Sequence, residues 1–395
     1  MDLHFTEEDE RFRAEIRGWL ETHLSGDFAH LRGRGGPGDH DGAFEDRRAW
    51  EKAMAAAGWS CIAWPRAYGG REATLMQQVI FHEEYARAGA PGSISHIGQE
   101  LLGPTIIHFG TEAQKQRFLP PIVNIDELWC QGYSEPGAGS DLANVQCKAE
   151  LDEATNEWVI TGQKVWTSLA HSSEWCFALC RTDPKARKHK GISYLLVPMD
   201  QPGVEIIPIR QITGTSEFAE VFFDGARTAA ENVVGEVNGG WKVAMGTLAF
   251  ERGASTLGQQ LAFRSELAAV IATAKERGSA KDPAVRQRLA DLWLRLEIMR
   301  LNALRTLTQM DQGALSREGM VTKLYWATWH RDLGEAAVEV LGMDAELTDG
   351  LELTEAQRLF LWTRCDTIYA GTNQVQRNII GERALGLPRE PRPTK

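Results

Sequence analysis

One short segment of the chain combines small residues, hydroxyls and carboxylates in a way that suits a ligand with many polar atoms. It runs from Tyr133 to Asp141 as Tyr-Ser-Glu-Pro-Gly-Ala-Gly-Ser-Asp and follows the segment 125–130, which ends in the apolar residues Leu-Trp-Cys. Its glycines allow backbone N–H groups to approach a ligand closely, and the hydroxyls of Ser134 and Ser140 add polar contacts. Taken alone, the segment is equally consistent with an ordinary turn, so its interpretation depends on context.

That context is supplied by three further segments. Residues 158–168 read Trp-Val-Ile-Thr-Gly-Gln-Lys-Val-Trp-Thr-Ser, a strand–turn–strand pattern that ends in an aromatic side chain and a hydroxyl. Residues 239–246 read Gly-Gly-Trp-Lys-Val-Ala-Met-Gly, and residues 368–377 read Ile-Tyr-Ala-Gly-Thr-Asn-Gln-Val-Gln-Arg. The four segments, in this order and spread over nearly the whole chain, resemble the acyl-CoA dehydrogenases.

The resemblance implies an enzyme that removes two hydrogens from the Cα–Cβ bond of an acyl-CoA. FAD accepts a hydride from Cβ, and a protein carboxylate takes the proton from Cα. Most members carry this glutamate between the Tyr and Gly of the late segment, where this chain has Ala370. Some members, notably those handling branched or long acyl chains, carry it on the first C-terminal helix, directly before an arginine.

In this chain the corresponding pair on the first C-terminal helix is Glu251 and Arg252. We therefore expect Glu251 to be the catalytic base. The apolar residues 248–250 before it favour a desolvated carboxylate, whose pKa would be raised toward that of the α-proton. The alternative interpretation is a glutamate on the helix surface, paired with a nearby cation.

The resemblance also assigns roles to residues of the other segments. Trp166 is expected to pack against the isoalloxazine ring and Ser168 to lie near flavin N5, whereas Trp158 is expected to be a core strand aromatic. The other expected contacts are Tyr133 and Ser134 with the pyrimidine side of the flavin, Thr372 and Gln374 with FAD, Ser140 with CoA, and Arg252, Ala370 and Gly371 with the substrate.

Two departures from the family pattern concern the adenosine half of FAD. Members usually carry Arg-x-x-Phe-Gly after the first long C-terminal helix, where it grips the FAD pyrophosphate of a neighbouring subunit; residues 275–283 lack the Phe-Gly pair. The later Gln-x-Leu-Gly-Gly element is altered to Glu-Val-Leu-Gly-Met at 339–343. We expect either a homo-oligomer (dimer or tetramer) or a heteromer in which a homologous chain completes the site. The heteromer resembles actinobacterial dehydrogenases that act on steroid side chains.

Three functions follow from the resemblance. The first is a dehydrogenase that passes electrons to an electron-transfer flavoprotein and, because Ala370 removes bulk, takes a branched, long or steroid-derived acyl group. The second is a non-catalytic or half-site subunit of a heteromeric dehydrogenase. The third is a flavin monooxygenase on the same scaffold, which would need no carboxylate base; Glu251 and the loop 134–141 argue against it.

Composition restricts the class of protein. The chain has 395 residues, of which 43% are hydrophobic and 25% are charged, typical of a soluble globular protein of two or three domains. A formal net charge of −11 argues against nucleic acid as a partner. No stretch has transmembrane length, and the six cysteines form no CxxC pair, so we expect a cytoplasmic protein with no metal and no disulfides.

The hydrophobic period divides the chain into three parts. Helical patterns dominate residues 1–125 and again 233–395, whereas 126–232 contain five short runs rich in β-branched and aromatic residues, at 158–160, 175–180, 192–197, 204–209 and 219–223. Cys176 and Cys180 share a strand face and are expected to pack in the core. Local signals in the helical parts predict a capping box at Thr6 and Asp9, a helix stop at Gly278, a helix start at Asp282–Pro283, and a core stripe of Trp326, Trp329, Leu333, Ala337 and Val340. We expect an α+β, acyl-CoA dehydrogenase-like fold: an N-terminal helical domain, a middle antiparallel β domain holding the flavin site, and a C-terminal helical bundle. The basic run 185–190 is predicted to be a solvated hairpin tip, with an anionic-ligand role as the minor alternative.

Overall fold

The computed structural model describes residues 5–36, 38–39, 42–250, 255–311, 317–350 and 352–389. Helices come first, a seven-stranded sheet follows, and helices close the chain. This is the order that the sequence predicted.

Three of the five N-terminal helices begin at side-chain caps that the sequence encodes. Thr6 and Asp9 form the predicted capping box, with Thr6 Oγ1 accepting from the Asp9 backbone N–H at 3.1 Å. The same arrangement starts two later helices, at Thr74 and at Thr111. The helices are α1 (Glu7–His23), α2 (Phe44–Ala56), α3 (Leu75–Arg87), α4 (Gly103–Phe109) and α5 (Glu112–Val123).

The sheet contains the five predicted strand regions and two strands that were not predicted. Residues 158–168, predicted to be strand–turn–strand, instead belong to one continuous strand with two register shifts. The strands are β1 (Trp129–Gly132), β2 (Lys148–Asp152), β3 (Glu157–Ser168), β4 (Trp175–Arg181), β5 (Ile192–Pro198), β6 (Val204–Ile209) and β7 (Phe218–Ala229). Most neighbours are antiparallel, as predicted, but β1 pairs with β4 in parallel and β2 touches β4 in parallel through Lys148 and Arg181. β4 lies between β1 and β2 in the sheet. Because the whole β2–β3 hairpin separates β1 from β4 in the chain, the connection is long enough for the two strands to run parallel.

One face of the sheet forms a core that contains the cysteines and the tryptophan predicted to pack there. Cys176, Cys180 and Trp158 are buried together with Ile160 and Val221. The basic run 185–190 lies between β4 and β5 and is largely exposed, in agreement with a hairpin tip.

The C-terminal helices are α6 (Gly240–Phe250), α7 (Ser255–Arg277), α8 (Pro283–Asp311), α9 (Thr322–Leu341), α10 (Glu355–Asp366) and α11 (Asn373–Ile379). Gly278 ends α7 with φ of 79°, and Asp282 caps α8 by accepting from the Ala284 N–H at 2.8 Å, both as predicted. The predicted stripe on α9 is core: Trp326, Trp329, Leu333, Ala337 and Val340 are all buried.

Helix α8 is apolar on two sides. Leu289 and Leu292 are buried against the bundle. Leu294, Ile298 and Leu301, spaced as one helical stripe, are 53%, 40% and 48% exposed on the single chain. An exposed apolar stripe of this kind marks an interaction surface.

Within the described residues, no helix is long and apolar enough to cross a membrane. The same residues hold no group of three or more His, Cys, Asp or Glu side chains arranged to bind a metal ion.

Candidate active site

The loop after β1 is anchored by one buried carboxylate. Glu135 accepts from the backbone N–H of Gln146 at 2.6 Å and of Cys147 at 2.9 Å. Glu135 and Ala138 also exchange two backbone hydrogen bonds, each 3.0 Å long. These bonds fix the base of the loop, while Gly139, Ser140 and Asp141 beyond it stay exposed.

Lys164 neutralises that carboxylate from inside the sheet. Its Nζ, fully buried, donates to Glu135 Oε1 at 2.7 Å, to the Leu179 carbonyl at 2.7 Å and to the Tyr133 carbonyl at 3.2 Å. All three protons of the ammonium group therefore have acceptors. Burial alone would lower the pKa of Lys164, but the negative charges of the ionised Cys147 and Glu135 side chains raise that pKa above its usual value. The lysine thus joins the loop to β3 and β4.

Trp166 projects into solvent from an irregular point of β3. The β3–β7 register shifts between Lys164 and Thr167, and Trp166 has a φ of 60°, in the left-handed region that bulky residues seldom adopt. Its side chain is 59% exposed. An apolar ring held outward on a strained backbone fits a site where another flat ring stacks on it.

Aromatic contacts connect Trp166 to the C-terminal helices. Its indole packs edge-on against Phe218 on β7, with ring centroids 6.2 Å apart. Phe218 in turn stacks on Trp362 of α10 at 6.4 Å and 15°. Sheet and bundle therefore meet beside the exposed indole.

Polar groups next to this indole fit the hydrogen-bonding edge of an isoalloxazine ring. The Val165 N–H donates to the Ser134 carbonyl at 2.9 Å, which brings the loop after β1 alongside β3. Thr167 is buried, and its Oγ1 has no hydrogen-bond partner within the described part of the chain. Ser168, the predicted neighbour of flavin N5, is partly buried one residue further on. The Tyr133 ring instead packs edge-on against Phe177 and Tyr194 in the core.

The late segment forms a strained turn between α10 and α11. Ala370 has a φ of 49° and Gly371 a φ of 86°, so two consecutive residues are left-handed. Gln376 Nε2 holds the turn by donating to the Ala370 carbonyl at 3.2 Å. Thr372 Oγ1 accepts from the Val375 N–H at 3.2 Å and caps α11, and Gln374 is exposed. The turn presents a methyl group at 370 and no carboxylate.

Helix α6 leads directly to the predicted base. Its first residue, Gly240, lies so close to β5 that a Cβ there would come within 2.5 Å of the Ser193 carbonyl carbon. Further along, Thr247 Oγ1 lies 2.9 Å from Thr105 Oγ1 of α4. The helix is thus docked on the sheet and on α4. Glu251 and Arg252 follow its last residue and lie outside the described residues.

The predicted CoA contact, Ser140, lies beside the basic hairpin tip. Its neighbour Asp141 forms an ion pair with Lys188. Arg181, at the end of β4, donates to the carbonyls of Ala143 at 2.8 Å and Lys190 at 2.9 Å, which ties the tip to the loop after β1. Positive charge, which the sequence alone did not locate, is therefore placed next to Ser140.

Two altered elements of the sequence meet each other in the structure. Arg277, from the region that lacks Phe-Gly, donates to Asp344 Oδ2 at 2.6 Å and to the Leu341 carbonyl at 3.5 Å. Both acceptors lie at or next to the altered 339–343 element. The guanidinium is thus engaged within its own chain.

Sequence reasoning missed the groups that position the site, namely Glu135 with Lys164, and Phe218 with Trp362. For Lys164 a signal existed, because strand alternation places it on the buried side of β3 with Trp158 and Ile160. A lysine at an inward position needs a buried partner, and the nearby loop offers one glutamate.

Three family models together match most of the chain. They describe the acyl-CoA dehydrogenase N-terminal domain (residues 6–126), middle domain (130–226) and C-terminal domain (238–385). The chain belongs to the acyl-CoA dehydrogenase family. It is a flavoprotein oxidoreductase that uses FAD to dehydrogenate an acyl-CoA thioester.

Individual relatives agree over nearly full length. The acyl-CoA dehydrogenase IpdE1 of Mycobacterium tuberculosis is 57% identical over 383 residues, covering 96% of this chain and 98% of the relative. Among solved structures, the Tcur3481-Tcur3483 steroid ACAD has a TM-score of 0.84 at 32% identity, covering 99% of this chain and 100% of the other. The ChsE4-ChsE5 complex from Mycobacterium tuberculosis has a TM-score of 0.80 at 29% identity, covering 99% and 100%.

Proposed function

We propose that this chain dehydrogenates an acyl-CoA with a bulky, ring-bearing acyl group of the steroid-derived class, and that Glu251 is its base. The observation that carries the proposal is the turn at Ala370, where a methyl group stands in place of the usual carboxylate and leaves room for a wider acyl group. A similar solved structure is named as a steroid ACAD, which supports this substrate class.

We assign the following roles to the site residues. Glu251, the next residue in the sequence after α6, takes the proton from Cα and becomes a neutral acid. Bound FAD would supply the acceptor for the hydride that leaves Cβ, and an electron-transfer flavoprotein is the proposed next acceptor. Trp166 covers one face of the flavin ring, and Thr167 and Ser168 offer hydroxyls to its polar edge. Ala370 and Gly371 line the acyl end of the site.

The anionic part of CoA is proposed to lie along the hairpin tip beside Ser140. Lys188 is held there by Asp141, and the other basic residues of the tip are exposed. Phosphate groups favour such clusters because several cations act on one dianion. The basic run 185–190 would then bind an anionic ligand, the role that the sequence analysis gave as the minor alternative.

Anaerobic titration with acyl-CoAs tests the proposal. The purified holoenzyme is mixed with short linear, branched and steroid-derived acyl-CoAs, and flavin absorbance is followed. We expect bleaching with the ring-bearing class and little with butyryl-CoA. Bleaching by short linear substrates alone would refute the substrate class. Absence of bleaching, with oxygen consumed in the presence of a flavin reductase, would favour a monooxygenase.

A half-site arrangement is the second candidate, and two observations favour it. Arg277 is engaged by Asp344 within its own chain, and the altered 339–343 element lies beside it. The stripe Leu294, Ile298 and Leu301 on α8 gives a homologous chain an apolar surface to cover. Two-chain names of similar structures, such as ChsE4-ChsE5, agree with a heteromer.

Flavin stoichiometry separates the two assemblies. The chain is purified alone and after co-expression with a homologous chain, and FAD per polypeptide is measured together with mass. We expect less than one FAD per polypeptide in the co-purified complex. Leu294→Glu should reduce the assembly mass, whereas Leu151→Glu on β2, at a leucine of similar exposure (43%), should not. A chain that purifies alone with one FAD per subunit would refute the heteromer.

A further inference from the structure

A buried histidine in the C-terminal bundle lies between two carboxylates, and the proposed chemistry does not use it. His330 on α9 places Nδ1 2.7 Å from Asp366 Oδ2 and Nε2 2.7 Å from Glu266 Oε2. His330 and Asp366 are almost completely buried. Three helices, α7, α9 and α10, therefore meet at one imidazole.

The cluster continues into the strained turn. Asp366 uses its second oxygen, Oδ1, to accept from the hydroxyl of Tyr369 at 3.0 Å. Tyr369 immediately precedes Ala370 and Gly371, the left-handed pair. Lys323, one helix turn from Trp326, donates to the Asp366 carbonyl and lies 5.5 Å from the Tyr369 ring centroid. The connection thus runs without a break from α7 to the turn.

Both ring nitrogens face carboxylates, so the arrangement needs the doubly protonated imidazolium. A neutral imidazole has one N–H and would leave one of the two carboxylates without a donor. Burial by itself would lower the pKa of His330, but Glu266 and Asp366 raise it to about 9. The cation pairs with one carboxylate from each of two helices, Glu266 of α7 and Asp366 of α10.

The charged groups of the surrounding helices are paired elsewhere. The groups that face the imidazole are Glu266 from α7, Asp366 from α10 and, through the Asp366 backbone, Lys323 from α9. The neighbouring pairs on α8, α9 and α10 are Arg295 with Asp332, Arg331 with Asp332, and Arg364 with Glu335.

We propose that Glu266, His330 and Asp366 form a positioning unit that holds Tyr369 and the 370–371 turn in place as the wall of the acyl site. Two left-handed residues in sequence are intrinsically strained, because an alanine in this region is disfavoured, so the turn needs an external restraint. The unit therefore joins helices α7, α9 and α10 to the turn through side-chain hydrogen bonds. Its kinetic consequence rests on the proposed function; its structural consequence does not.

The structural part is tested by hydrogen exchange of the backbone amides 367–373 in the FAD-loaded holoenzyme. Exchange, corrected for its intrinsic pH dependence, should be slow at pH 7 and increase about tenfold or more above pH 9, as the imidazolium deprotonates. His330→Gln and Tyr369→Phe should show fast exchange already at pH 7. Asp332→Asn, which removes a carboxylate from the same helix but not from the unit, should behave as the wild type. Unchanged exchange in both unit variants would overturn the proposal.

The kinetic part is tested with the acyl-CoA that bleaches the flavin. Tyr369→Phe, at a partly exposed residue whose ring stays in place, should raise KM about tenfold with a smaller effect on kcat, because the wall moves while the base does not. The alkaline decline of kcat/KM in the wild type should be absent in His330→Gln. A variant that loses only thermal stability, with KM and the pH profile unchanged, would show a merely structural role and refute the positioning role. If no acyl-CoA bleaches the flavin, the proposed function fails, and the exchange experiment still decides on the unit.

Discussion

Replacing Lys164 by methionine should destabilise the sheet and release the loop after β1, which is expected to contact the flavin. Methionine has nearly the same length but no charge, so Glu135 would stay buried as an uncompensated anion. The Leu179 and Tyr133 carbonyls would each lose a donor as well. Breaking one side of a buried ion pair costs about 3–5 kcal/mol, and the charge makes up most of that cost. We expect Lys164→Met to lower the free energy of unfolding by about this amount and to weaken FAD retention.

A double-mutant cycle separates the charge from the packing. In Lys164→Met/Glu135→Gln the buried anion is also gone. The double variant should therefore lose about 1–3 kcal/mol less unfolding free energy than the sum of the losses in the two single variants. Urea unfolding followed by circular dichroism, with FAD content after gel filtration, measures both quantities. Lys148→Met, at an exposed lysine on β2, is the matched control and should unfold like the wild type. Strictly additive effects, or a stable Lys164→Met, would refute the argument that Lys164 positions the loop.

Three further predictions concern catalysis, CoA binding and pH. Glu251→Gln should lower the rate of flavin reduction by about 10²–10⁴-fold in stopped flow. The control Glu276→Gln, on the exposed side of α7, should leave that rate unchanged. If Glu251→Gln reduced its flavin as fast as the wild type, another group would be the base. Lys188→Ala should raise KM for the acyl-CoA several-fold but not for the matching acyl-pantetheine, and Lys281→Ala should affect neither; an equal rise for both substrates would exclude phosphate binding at the tip. Folding raises the pKa of His330 from 6.5 to about 9, so the stabilisation that the imidazolium gives is complete below pH 6.5 and is lost as pH rises through 9. The difference in unfolding free energy between wild type and His330→Gln should therefore fall by about 3 kcal/mol over that range. A difference that stays constant with pH would contradict the imidazolium assignment.

Local signals in the sequence were sufficient for most of the fold. The Thr6–Asp9 capping box, the Asp282–Pro283 start and the Gly278 stop depend on backbone groups within a few residues, so they could be predicted. β2 was missed because Lys-Ala-Glu-Leu-Asp has only one small apolar residue facing the core, Ala149. Its strand conformation comes from pairing with β3, a contact that local propensity does not contain.

The same distinction between local signals and long-range contacts applies to the candidate site. Resemblance predicts that Trp166, Ser134 and Ala370 belong to one site, because their segments keep the family's order. The imidazolium cluster could not be predicted, since Glu266, His330 and Asp366 are separated by 64 and 36 residues and come together only when three helices pack. Leu294 and Leu301 are a second example. An apolar residue on a helix is predicted to be buried, but the sequence does not say whether its own chain or a partner chain covers it.

The exposed indoles give the chain its own optical reporters. Its 13 tryptophans all lie within the described residues, and among them only Trp166 and Trp293 are more than half exposed, at 59% and 52%. Indoles surrounded by water emit at longer wavelengths than indoles in an apolar core, so selective excitation at the red edge observes these two. Trp166 lies at the proposed flavin face, where a stacked ring would quench it, and Trp293 lies next to the apolar stripe of α8, where a covering subunit would shift its emission to the blue. Substituting either one by phenylalanine therefore allows cofactor loading and subunit association to be followed separately, in one sample and without a label.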